Sequence, residues 1–108
     1  MRLQPIVYVT DMAAASSWYG QLLATEPEVA GEHWTSFRVA GGHLALHLTE
    51  QAEQTGAVEL SLVVDEPLES TAARMGYTEP MVDEAFGRSI RLDDPDGRRV
   101  QVNEHTAP

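Results

Sequence analysis

The chain of 108 residues, 43% of them hydrophobic, can bury one core and is too short for two ordinary domains. It contains no cysteine, which excludes a disulfide framework, an iron–sulfur cluster and a thiol nucleophile. Seventeen acidic residues face seven basic ones, all arginine; the formal charge of −10 argues against nucleic acid and, beyond aiding solubility, attracts cations and cationic small molecules.

No apolar segment resembling a leader precedes the first strand-like run, and no apolar stretch approaches bilayer-spanning length, so the expected location is cytoplasmic, away from the membrane. That first run, Pro5 to Asp11, ends in an aspartate suited to cap a helix. In the helix that follows, Ala15, Trp18, Tyr19, Leu22 and Leu23 recur at three- and four-residue spacing and predict one buried face. Three shorter strands are then predicted, at about Glu28 to Trp34, Thr35 to Ala40 and His43 to Glu50, with Gly41 and Gly42 turning the last pair. Gln51 to Gly56 is polar and forms a linker. The pattern then restarts. Val58 to Asp65 is a second strand-like run, and Leu68, Ala72 and Met75 mark the buried face of a second helix, with Pro67 in its first turn and Gly76 as its stop. Strands at about Met81 to Ala85, Phe86 to Asp93 and Arg98 to Glu104 complete the series, the last two joined by the turn Asp94-Pro95-Asp96-Gly97.

The two halves match in order. Asp65 follows Asp11 by 54 residues, Glu79-Pro80 follows Glu26-Pro27 by 53, Ser89 and Arg91 follow Ser36 and Arg38 by 53, and Glu104 follows Glu50 by 54. An ordered series of this kind indicates duplication of one structural unit. The expectation is one α+β domain over residues 1–108, made of two βαβββ repeats (1–52 and 57–108) that form a curved mixed sheet around a cavity with the helices outside.

Strand alternation assigns residues to faces. Val7, Val9, Leu46, Leu48, Leu60, Leu62, Val64, Val100 and Val102 form an apolar set expected beneath the helices. The opposite phase carries Gln4, His47, Thr49, Glu59, Ser61, Gln101 and Asn103, a polar face that either is simply solvated or lines a cavity.

With these segments in hand, the chain resembles, over nearly its whole length, the vicinal oxygen chelate superfamily of glyoxalases, bleomycin-resistance proteins and extradiol dioxygenases. Val9-Thr10-Asp11, Trp18-Tyr19, Leu22-Leu23 and Leu62 to Asp65 carry the resemblance. The run from Asp94 to Glu104, with Asp-Pro-Asp-Gly between two strands, is its most specific mark. In metal-dependent members the resemblance implies four ligand positions, which fall here on Gln4, His47, Glu59 and Gln101. Only His47 and Glu59 are strong donors, so a site built from them is under-charged for a divalent metal. No cofactor is therefore expected, with a weak divalent metal at these four residues as the alternative. His47 and Glu59 are otherwise expected to pair by a hydrogen bond.

Tyr8, Arg38 and Arg91 share inward phases and are candidates to bind a ligand's anionic group or to pair with Glu59. Trp34 and Phe37 are candidates to stack on a ligand, with core packing as the rival reading. His33 and His43 lie beside turns and are expected to be exposed, and His105 to lie in a frayed tail. The leading functional expectation is a metal-free protein that sequesters a small cationic or planar molecule, in the manner of the bleomycin-resistance branch, without catalysis. The alternative is a metal-dependent lyase, isomerase or epimerase using His47 and Glu59. A ring-cleaving dioxygenase lacks its two-histidine, one-carboxylate triad. The resemblance also implies a homodimer, and Pro5 at the start of the first strand suggests a sheet edge.

Overall fold

The computed structural model describes residues 1–106; residues 107 and 108, the last two of the second repeat as read from the sequence, lie outside the described residues. Two compact units divide the chain, Gln4–Glu59 and a second made of Met1–Leu3 with the chain from Leu60 onward. The elements follow in the order β1 (Arg2–Leu3), β2 (Ile6–Val9), α1 (Met12–Leu23), β3 (Val29–Ala30), β4 (Trp34–Val39), β5 (Gly42–Leu48), a 3-10 turn (Ala52–Gln54), β6 (Val58–Val64), α2 (Leu68–Met75), β7 (Val82–Glu84), β8 (Gly87–Asp93) and β9 (Arg99–His105). β6 begins in the first unit and continues into the second.

In the first unit β2 runs parallel to β5 and antiparallel to the start of β6, and the meander β5, β4, β3 completes the sheet. In the second, β6 runs parallel to β9, the meander β9, β8, β7 follows, and β1 pairs β6 antiparallel. Each repeat thus places its first strand beside its last with the helix as the crossover between them, and the protein is an α+β fold of two βαβββ repeats. Because β2 has a neighbour on either side, Pro5 does not mark a sheet edge. It stands just before the ladder, where its missing N–H removes no strand bond and its carbonyl accepts from Ala45 N (3.0 Å).

The strand expected at Glu28 to Trp34 is only two residues long. Its chain turns at residue 31, where Thr35 Oγ1 donates to Gly31 O (3.2 Å) and accepts from Gly31 N (3.4 Å). A Cβ there would lie 2.7 Å from Trp34 O, so the turn needs glycine. At the other end of the chain, β9 extends through His105, whose ring meets that of Phe86 at 5.1 Å, so this residue is no frayed tail.

The two helices are fastened differently. Asp11 caps α1 by accepting from Ala14 N (3.0 Å), as its sequence position implies. The half-buried stripe of α1 is Met12, Ala15, Ser16, Tyr19, Gly20 and Leu23, whereas Trp18 and Leu22, expected to be buried, are 59% and 63% exposed. Gly20 lies in this stripe and faces the Phe37 ring, which a Cβ there would meet at an ordinary contact distance of 3.6 Å. Asp65, the counterpart of Asp11, does not cap α2 but accepts from the Met1 amino group (3.2 Å). Glu104 of β9 reaches α2 instead, its Oε2 accepting from Leu68 N (2.7 Å). Leu68 and Ala72 are buried in one cluster with Val64, Ile90 and Val102, while Met75, on the same stripe but at the last position of the helix, is exposed. Full burial of Leu68 alone contributes roughly 1.5–3 kcal/mol.

Candidate functional site

Ladder register settles which side chains share a face. In the first unit, Phe37, Leu44 and Leu46 lie on the α1 side, so Tyr8, Trp34, Ser36, Arg38, His43, His47 and Glu59 lie on the other. This face is less uniformly polar than its sequence phase suggests, because Ile6 and Ala45 belong to it and are buried. Phe37, 0% exposed, packs beneath α1; it stands three residues from Trp34, and an odd offset puts two strand residues on opposite faces.

Four of the expected site residues come together on the face opposite α1. The Tyr8 hydroxyl donates to Glu59 Oε2. The Tyr8 and His47 rings lie 5.5 Å apart, and Trp34 meets His47 edge-on at 6.0 Å. Strand pairing explains the cluster, since Tyr8 and Trp34 are the register partners of His47 on either side. Glu59 thus takes the Tyr8 hydroxyl rather than the His47 ring expected from the sequence. His47, which is exposed, has Nδ1 at 2.9 Å from Leu48 O. A carbonyl can only accept, so Nδ1 is the donor in this contact.

The remaining candidates lie elsewhere. Gln4 is buried, outside the strand ladders. Arg38 donates to Glu28 Oε2 (2.7 Å). His43, expected to be exposed, is 9% exposed with Nε2 3.2 Å from Glu28 Oε1. Arg38 first and His43 second hold the Glu28 carboxyl below its ordinary range. In the second unit, Ser61, Gln101 and Asn103 are all buried, and Asn103 Nδ2 donates to Ser61 Oγ (2.9 Å). Arg91, also considered for Glu59, donates to Ser89 Oγ and approaches Glu84 Oε1 at 3.9 Å. Ser89 and Glu84 were not singled out from the sequence. Period two would have found Ser89, which stands two residues before Arg91 on the same strand.

A metal requires converging donors. Among the described residues no group of three or more His, Asp or Glu side chains is placed to hold one. His47 and Glu59 alone, with Glu59 already engaged by Tyr8, do not make a full site for a divalent ion.

No protein-family model and no curated protein matches this chain. Solved structures do. A glyoxalase/bleomycin resistance protein/dioxygenase superfamily member from Vibrio splendidus 12B01 matches at a TM-score of 0.63 and 17% identity, covering 95% of this chain and 97% of its own. The fold is that of the glyoxalase/bleomycin-resistance/dioxygenase superfamily. An NAD-dependent benzaldehyde dehydrogenase from Legionella pneumophila matches at a TM-score of 0.74 and 21% identity, covering 96% of this chain and 99% of that one. A protein from Methanosarcina mazei matches at 0.58 and 18%, covering 98% and 93%. At such identities the likeness carries the fold and no activity. No helix among the described residues is long and apolar enough to cross a membrane.

Proposed function

We propose that the protein binds and sequesters a small, planar organic cation on the first unit's face opposite α1, as a bleomycin-resistance-like member of its superfamily acting without a metal. One observation carries this reading: a carboxylate, Glu59, is held by a tyrosine hydroxyl beside the Tyr8, His47 and Trp34 rings. Aromatic faces next to a fixed negative charge favour flat cations by stacking and by cation–π attraction, and the net charge of −10 steers them inward. The exposed apolar side chains of Trp18, Leu22 and Val58 support a homodimer.

Titration with proflavine, a planar cation, followed by fluorescence, tests the reading against fluorescein, a planar anion. Glu59→Gln and Trp34→Ala are each expected to weaken proflavine binding about tenfold. Unchanged affinity in both variants, or equally tight fluorescein binding, overturns it. The protonation of His47 at Nδ1 favours a second reading, a weak divalent metal at His47 and Glu59 serving a lyase, isomerase or epimerase. Native mass spectrometry of zinc- or manganese-supplemented protein separates the two readings. Stoichiometric metal that is lost in His47→Ala and Glu59→Ala supports the second, and the same spectra count subunits.

A further inference from the structure

We infer that the second unit carries a subsite of its own, on its sheet face opposite α2, for an uncharged carboxamide-type group, an N–H donor next to a carbonyl acceptor. On the α2 side of this sheet the buried residues are Val64, Ile90 and Val102. On the other side, Ser61 and Ser89 are fully buried and Asn103 is 3% exposed. Asparagine is a poor strand former, and a buried polar side chain is tolerated only when its hydrogen bonds are made. Here they are made in part. Asn103 Nδ2 donates to Ser61 Oγ (2.9 Å), but Asn103 Oδ1 is buried with no hydrogen-bond partner among the described residues. That oxygen can be satisfied only by a donor.

Donors for the other half of such a ligand stand on the same face. Ser89 is the register partner of Asn103, and the Arg91 guanidinium donates to Ser89 Oγ. A guanidinium has five N–H groups, and this one has donors beyond that bond. Glu84 accepts from Ser89 (3.2 Å) and lies 3.9 Å from Arg91, close enough to offset its charge and too far for a hydrogen bond. An anion therefore gains little here, while a neutral group that both donates and accepts is matched. Arg91 and Glu84, with side chains 34% and 30% exposed, are the part of the cluster that reaches solvent.

The test is an NMR titration of the 15N-labelled full chain with acetamide, with acetone, which has the carbonyl but no N–H, and with sodium acetate. The readouts are the Asn103 side-chain amide and Arg91 Nε–H signals. Acetamide is expected to shift both in a saturable manner while acetone and acetate leave them unmoved, and Asn103→Leu is expected to abolish the Arg91 shift. Absence of a shift with acetamide, an equal shift with acetone, or an Arg91 shift that survives in a folded Asn103→Leu variant overturns the inference. The three-probe comparison on the unaltered protein decides the matter should Asn103→Leu fail to fold. None of these signals reports on the proflavine site of the first unit, so either proposal can fail alone.

Discussion

The two units share one strand order and differ in how each is fastened. The first caps its helix from the adjoining residue Asp11 and ends it on Ala24, a non-glycine residue at φ 54°; no residue of α1 is fully buried. The second caps its helix from Glu104, 36 residues away, ends it on Gly76, and buries Leu68, Thr71 and Ala72 against a closed apolar core. The faces opposite the helices differ in the same sense: Tyr8, His47 and Glu59 are partly or fully open, whereas Ser61, Ser89 and Asn103 are buried and only their neighbours Arg91 and Glu84 reach solvent. Duplication preserves the path of the chain because alternation and turns encode it, while local fastening and the chemistry of each face are free to diverge.

The sharpest way to break the second unit is Gly87→Ala. Gly87 sits at φ 149°, and an added Cβ would lie 2.0 Å from Glu104 O, so the β8–β9 ladder must shift. We expect a loss of roughly 3 kcal/mol or more in urea denaturation. A comparison of caps comes next. Glu104→Ala removes the acceptor for Leu68 N and one partner of Arg88 and should cost about 2 kcal/mol, whereas Asp11→Ala should cost about 1 kcal/mol. Equal losses would show that the distant cap carries no more than the adjoining one.

Ala24→Gly should move the first unit toward the second by relieving the left-handed backbone, with a gain of up to about 1 kcal/mol read as a raised Tm. The smallest effect is pH-dependent. Arg88 holds the Glu69 carboxyl down to about 2 from an ordinary 4.5 through two hydrogen bonds of 2.8 Å. A depressed carboxylate stabilises the fold above its unfolded value, and that contribution disappears as pH falls from about 4.5 toward 2. Urea midpoints for Glu69→Gln should therefore change less over this range than those of the unaltered protein; parallel curves would show that the exposed pair contributes nothing.

Much of this was legible in the residues. Asp11 and Asp94 each act within a few positions of themselves: Asp11 caps Ala14 N, and Asp94 Oδ1 accepts from Asp96 N and Arg98 N to close the last hairpin. Such short-range chemistry needs no tertiary structure. Face assignments were equally legible, and strict use of period two would also have sent Phe37 to the helix side. Burial was another matter. Its place beside a turn suggests that His43 is open, yet it is buried and meets Glu28, 15 residues away in the chain.

The sequence by itself therefore determined the repeat, the order of strands and helix within each repeat, the hairpins and the strand faces, but not β1 or the 3-10 turn, since each of the former rests on periodicity or on contacts between near neighbours. Only the tertiary structure decided that Tyr8 rather than His47 engages Glu59, that Glu104 rather than Asp65 caps α2, and that Asn103 keeps an unmatched oxygen in the interior. Those partners are 51 and 36 residues apart in the first two cases, and no local pattern can choose among several carboxylates and donors until the strands have placed one of each within reach.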